Sequence, residues 1–262
     1  MFLVFGALCG ASAPLRGLKE QENPMCGRFV LAQTTADLVA LFDIDEPDAD
    51  LPEPSWNIAP TQRIAVVAES MKGVEEGSPP RRRLAGARWG LVPRAAADPS
   101  AGPPLINARI ESIAEKPSFR ESYAARRAII PASGWYEWQV GADGTRSPFF
   151  VSPQENALVL FAGLYEWWRS SRPGAPWLLS ATILTRPSAG ALAGVHERMP
   201  VLMQPELIEE WLDPVTPGGG ELLRTMAEGA AELADNLTVQ RVGSAIGSVS
   251  AAGPDLIRPV EA

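Results

Sequence analysis

From Met25 onward, hydrophobic and polar positions alternate and cluster in patterns that short helices and strands would use. Thr34 and Asp37 form a capping box, and Leu38, Leu41 and Phe42 fall on one face of the helix it opens. An acidic loop runs to Pro54, and Trp56-Asn57-Ile58-Ala59-Pro60 leads into a strand over residues 63–68. Residues 70–83, with Gly73, Gly77 and Pro79-Pro80, read as an exposed hairpin end ahead of a strand over 84–92. Ser118 with Glu121 caps a second predicted helix to residue 126. Strands then crowd together over 128–131, 134–139, 148–152, 158–167 and 177–185, with a turn at Gly141-Ala142-Asp143-Gly144. Helices over 205–212 and 221–233 are separated by the Gly218-Gly219-Gly220 breaker, and 237–242 and 256–260 read as closing strands. No repeat or long linker divides the region. Many short strands with few helices predict an α+β fold: a single domain with a curved, mainly antiparallel, barrel-like β-sheet and peripheral helices.

The first 24 residues do not share this patterning. Residues 1–15 are apolar but lack the positive start and clear cleavage pattern of a signal peptide. Residues 1–24 are therefore read as an N-terminal extension, a misassigned start or a propeptide, ahead of a domain over 25–262. No apolar run in the 262 residues reaches the roughly 18–20 needed to cross a membrane as a helix. The formal charge of −8 argues against non-specific coating of duplex DNA. Seven acids and no base lie between Asp37 and Glu53, so the other 24 acids nearly balance 23 basic residues, 20 of them Arg. A local arginine-lined groove for phosphate is compatible with that balance, and so is a genome-composition origin for any single Arg.

Two cysteines and one histidine restrict the chemistry to few groups, with neither a disulfide framework nor a multi-His metal centre. No metal or cofactor is expected. Met25-Cys26-Gly27-Arg28-Phe29 places Cys26 where removal of the preceding chain would give it a free amine beside its thiol. Those groups titrate near about 7.7–8 and 8.5. An aldehyde would meet the amine as a Schiff base, and the thiol would close a five-membered thiazolidine. With the amine still in an amide this is impossible; a buried, inert Cys is the alternative. Asn107 and Arg109, two residues apart, share a side if extended, able to hold a carbonyl or hydroxyl and a phosphate; a turn Asn and a surface Arg are the plainer reading. In Gly134-Trp135-Tyr136-Glu137-Trp138, aromatic walls would desolvate Glu137 as a general acid/base needs, although an Arg-paired edge Glu fits as well. His196 lies beside Arg198 in a loop, as a proton carrier or a structural histidine.

Taken together and in order, MCGRF, WNIAP, WGLVP, PLINAR-x-E, GWYEW, TILT and VHERMP resemble the SOS-response-associated peptidase family, proteins that crosslink abasic sites in single-stranded DNA. The resemblance runs from Met25 to near the C-terminus. It implies that Cys26, uncovered by self-processing, attacks the ring-opened sugar aldehyde and ends as a thiazolidine crosslink that protects the site during repair. Asn107 would orient the sugar, Glu137 would act as acid/base in ring opening and Schiff-base formation, and His196 would assist proton transfer. Arg28, Arg109 and Arg198 match the family's phosphate contacts, and Trp138 would pack at the site. The implied partner is single-stranded DNA containing abasic sites, with no membrane; the implied protein is a cytoplasmic monomer that joins the nucleoid on damaged DNA. The chain departs from the family at Arg94-Ala95-Ala96, where many members carry a Trp, so that a base-stacking platform there is in doubt.

Three rival readings fit part of the same residues. Class II glutamine amidotransferases also start Met-Cys-Gly, but the resemblance stops there. A Cys/His peptidase acting on other proteins would need Cys26 and His196 in contact and would tolerate a blocked amine. A non-covalent single-stranded-DNA-binding module would leave no covalent product and would weaken steeply with salt.

Overall fold

The computed structural model describes residues 27–100, 102–154 and 157–260. Its elements, in chain order, are β1 (Arg28–Leu31), α1 (Thr35–Phe42), β2 (Glu46–Pro47), β3 (Ser55–Ile58), β4 (Arg63–Ser70), β5 (Arg81–Trp89) and β6 (Asn107–Arg109). There follow α2 (Arg120–Ala125), β7 (Arg127–Ala132), β8 (Gly134–Val140), β9 (Arg146–Pro153), β10 (Val159–Arg169) and β11 (Trp177–Pro187). Last come β12 (Arg198–Pro200), α3 (Ile208–Leu212), α4 (Gly220–Ala234) and β13 (Leu237–Arg241).

Five strands close into a ring. β7 pairs with β10, β10 with β11, β5 with β4 and β4 with β7, all antiparallel. One short parallel junction, Ser180↔Arg88 and Ala181↔Trp89, joins β11 to β5 and completes the circle. Farther along β11, β6 runs parallel on one side and β12 antiparallel on the other, both reaching Thr185. A second, wholly antiparallel sheet, β13-β9-β8-β1-β3, lies against the ring. Its Phe29 and Trp135 pack edge-on against Trp89 and Phe161 of the ring, with ring centroids 5.1–6.1 Å apart. Its outer face carries Val30, Tyr136 and Phe150, which the C-terminal residues Val242, Ile246 and Leu256 cover. The predicted α+β architecture with a curved, mainly antiparallel, barrel-like sheet is thus the one observed.

Local details follow the sequence unevenly. The Thr34–Asp37 capping box is present in full. The second helix starts at Arg120 behind Phe119 with no side-chain cap, so Ser118 does not cap it. β5 begins at Arg81, inside the stretch read as a hairpin end, because the strand's polar side is made of arginines rather than small polar residues. Arg82 binds Glu69 of β4 and Glu209 of α3, and two acids of the loop, Asp48 and Asp50, bind Arg83 of β5 and Arg63 of β4. The predicted strand over 256–260 is instead a 3-10 turn, Pro254–Ile257, followed by the single bridge Val242↔Pro259. Proline has no amide hydrogen to continue a ladder there. Residues 205–212 divide into a 3-10 turn, Pro205–Leu207, and α3.

One buried arginine fastens the helices to the barrel. Arg127, 3% exposed, donates to the carbonyls of Tyr123, Ala124, Trp211, Asp213 and Thr216, which belong to the ends of α2 and α3 and the chain after α3. Arg127→Met would leave these acceptors without their donor, at a cost of about 3 kcal/mol or more. Thermal unfolding followed by circular dichroism should show a midpoint lower by about 6–12 °C.

Candidate functional site

β8 starts at Gly134 because nothing larger fits: a Cβ there would lie 2.5 Å from both the Val151 carbonyl oxygen and the Phe150 ring. From Gly134 the strand alternates as its pattern predicts. Trp135 joins the core between sheet and ring, and Tyr136 and Trp138 turn to the outer cluster. Glu137 follows Trp135 on the inner side and is 1% exposed. Its Oε2 lies 4.0 Å from His196 Nδ1. The Gln139 side-chain amide donates to the Gly194 carbonyl at 2.8 Å and ties the end of β8 to the loop that carries His196.

The histidine is held by its own chain. Nδ1 lies 3.1 Å from the Arg198 backbone nitrogen and 3.0 Å from the Arg198 carbonyl oxygen. With its proton on Nε2, the ring accepts the Arg198 N–H; with a proton on Nδ1, it donates to the Arg198 carbonyl, with the Glu137 carboxylate close by. His196 and Glu137 are therefore close enough to hold and exchange a proton through one intervening group.

Arg198 is committed to neighbouring side chains and backbone. Its two terminal nitrogens donate to Glu111 Oε1 at 2.7 Å and Oε2 at 3.0 Å, and Nη2 also donates to the Thr185 carbonyl at 2.7 Å. Burial raises the Glu111 carboxyl pKa, but the hydrogen bonds from Arg198 outweigh this and hold it below its ordinary value. The pair thus stays ionised down to lower pH than a free glutamate would. Thr185 sits opposite Arg109 in the β6–β11 pairing, and Asn107 sits opposite Ile183. The segment of Asn107 and Arg109 is extended, so both lie on one side of β6. A continuous set of contacts therefore runs from Glu137 through His196 and Arg198 to Thr185 and β6.

Arg28 and Trp138 lie on the other side of the same sheet. Arg28 is paired with Tyr136 and shares its face. Its Nη1 donates to Asn57 Oδ1 at 2.7 Å and to the Ile246 carbonyl at 2.9 Å. Burial lowers its pKa. Buried Asn57 uses its amide nitrogen on the Ser248 and Ala251 carbonyls, at 2.9 and 2.7 Å, so the C-terminal segment and Arg28 are joined through it. Arg146 stacks on the Trp138 ring at 5.8 Å. Cys26 lies outside the described residues.

Glu111, Thr185 and Asn57 had no role in the sequence reading although each stands inside a motif it singled out. Their contacts join residues 13 to 194 positions apart, and no local pattern reports such distances.

Comparison with known proteins agrees with the motifs. Residues 25–249 match the family model described as SOS response associated peptidase (SRAP). The abasic site processing protein YoaM of Bacillus subtilis is 40% identical over 192 residues, covering 72% of this chain and 80% of that protein. The abasic site processing protein YoqW of the same species is 36% identical over 235 residues, covering 89% and 99% respectively. In fold, a crystal structure of a protein from Bacteroides thetaiotaomicron superposes with a TM-score of 0.71 at 18% identity, over 90% of this chain and all of that one.

Proposed function

The chain belongs to the SOS response associated peptidase family, and from that premise we propose that it processes abasic sites in DNA by covalent capture on Cys26. The ring-opened sugar of an abasic site presents an aldehyde. Once the chain before it is removed, the Cys26 amine adds to that carbonyl, water leaves as the imine forms, and the thiol S–H adds across the C=N bond to close a thiazolidine. While the preceding peptide bond is intact, the nitrogen lone pair is delocalised and unreactive, so self-cleavage ahead of Cys26 comes first. Glu137 delivers a proton to the sugar oxygen in ring opening and to the departing hydroxyl, and His196 shuttles the proton released by the amine and the thiol. Asn107 orients the sugar. Arg28, Arg109 and Arg198 face the phosphates from the two sides of β8, with Trp138 beside them, and the strand is single-stranded so that the open sugar is reachable.

One observation supports this reading most. The only histidine stands 4.0 Å from a 1% exposed glutamate on β8, the strand that pairs with β1. Arg28, two residues after Cys26 in the sequence, is opposite Tyr136 of that strand, the neighbour of Glu137. Intact-mass measurement tests it. Mixed with a single-stranded oligonucleotide carrying one abasic site, the protein is expected to start at Cys26 and to gain the oligonucleotide mass less one water. A chain starting at Cys26 that gains nothing would overturn covalent capture.

The Glu111–Arg198 pair supplies a second test at the same site. Glu111→Gln keeps the side-chain shape but loses the charge that grips Arg198, and with it the footing of the backbone that orients His196. Crosslinking at saturating DNA should slow roughly tenfold, as expected for a reacting group displaced by a fraction of an ångström. Unchanged rates with tighter DNA binding would mean that Glu111 merely masks Arg198 from phosphate.

A further inference from the structure

The ring has a second end. β11 meets Thr185 and the site near its C-terminus, and Leu179 lies six residues earlier, about 20 Å away along an extended strand. There, past the two paired residues that join β11 to β5, a cavity of about 240 Å³ opens, with Tyr165 and Trp167 of β10, Leu179 of β11 and Lys72 among its walls, together with the paired Arg83 and Asp48 and with Glu69, whose carboxylate Arg82 holds. Trp167 is opposite Leu179, and Arg169 is opposite Trp177. Opposed residues share a face, and so do residues two apart on one strand. From the cavity, whose wall is of mixed charge, the same face therefore continues outward along the β10–β11 hairpin as an aromatic surface that carries Arg169.

That surface is unusual in this chain. Trp167 is 40% and Trp177 55% exposed, and among the described residues no other aromatic side chain is as open. The Arg169 guanidinium lies 5.7 Å over the Trp177 ring. Neither Arg169 nor Lys72 makes an ion pair among the described residues. Trp168, on the opposite face, is buried and donates its indole N–H to the Ala96 carbonyl at 2.8 Å, so the strand is pinned with Trp167 facing out. Flat π surfaces in water beside unpaired cations are the components of sequence-tolerant single-strand binding: bases stack on the indoles and phosphates meet the cations.

We propose that the Trp167–Trp177 face, with the cavity at its foot, is a second contact for single-stranded DNA that takes unpaired bases some 20 Å from the lesion. It rests on the proposed function only in taking the bound strand to be the one held at Cys26. Bases stack on Trp167 and Trp177, and Arg169 and Lys72 meet the phosphates between them. The surface would lengthen the protein's hold on a strand beyond the one captured sugar.

Tryptophan fluorescence, titrated with an oligothymidylate of about fifteen residues and no abasic site, tests this directly. Binding should quench the wild-type signal. Trp167→Ala and Trp177→Ala should each weaken it about tenfold, and Arg169→Glu should both weaken it and flatten its salt dependence. All three positions are exposed, so the folded state should be retained. Crosslinking of an abasic trinucleotide with the abasic sugar at its centre, which has one nucleotide on either side and is too short to reach the tryptophans, should be unchanged in the tryptophan variants. Equal oligothymidylate affinity in the double Trp167→Ala, Trp177→Ala protein would overturn the proposal, as would loss of crosslinking on the short strand. Wild-type protein that binds oligothymidylate through these tryptophans yet never captures an abasic site would overturn the covalent reading and leave this surface standing.

Discussion

Cys26→Ala protein, processed so that it begins at residue 26, is expected to leave no crosslink to abasic single-stranded DNA that survives heating in denaturant. The variant keeps its α-amine, so it still condenses with the sugar aldehyde to an imine. Without the thiol, nothing adds across the C=N bond, and water returns the imine to aldehyde and amine. Borohydride present during the reaction should therefore trap a Cys26→Ala adduct that is absent without it, whereas wild-type adduct should need no reductant. An α-amine ordinarily titrates near about 7.7–8, so wild-type capture should quicken as pH rises toward 8 and slow below 7, where such an amine is protonated. A Cys26→Ala protein giving the full wild-type yield without reductant would refute covalent capture by this residue. A wild-type protein whose residues before Cys26 stay attached should behave as an inactive control, since its nitrogen is an amide.

Much of this site was legible because its parts are local. The period-two alternation of Gly134-Trp135-Tyr136-Glu137-Trp138 assigns Glu137 and Trp135 to one side, and the structure has them so, with Tyr136 and Trp138 in the outer cluster. The spacing of Asn107 and Arg109 likewise anticipates their common side of β6. The barrel follows from the abundance of short strands, but its closure through two β5–β11 pairs does not, because a parallel junction between strands 92 residues apart leaves no mark on either segment. Arginine-lined β5 hid its first residues behind a polar sequence, and the apolar stretch over 256–260 read as a strand although Pro259 within it has no amide hydrogen for a ladder. The commitments of Arg28 to Asn57 and of Arg198 to Glu111 were invisible for the same reason: a charged side chain's partner is chosen by the fold. For the phosphate role proposed for these arginines, those contacts would aim the side chains before DNA arrives, so less side-chain freedom would be lost on binding, at the expense of carboxylate or amide bonds that phosphate would share.

Glu137→Gln protein is expected to capture abasic DNA about 10²–10⁴-fold more slowly at saturating strand, with little change in the strand concentration needed for half-maximal rate. The amide keeps the size and one hydrogen-bonding oxygen of the carboxylate but can neither give nor take a proton. Because the side chain is 1% exposed, it offers no surface to bind phosphate, and removing a negative charge beside a polyanion does not oppose binding. The loss therefore falls on the rate of the chemical steps rather than on affinity. His196→Ala should lose less, since the histidine stands behind the glutamate at 4.0 Å and backs it from the Arg198 loop. If the two exchange one proton, the double variant should be little slower than Glu137→Gln alone, because groups acting as a unit are not additive. Additive losses would separate them into independent roles. A Glu137→Gln protein within twofold of wild type at saturating DNA would remove the glutamate from the chemistry, and with it the observation on which the covalent mechanism most depends.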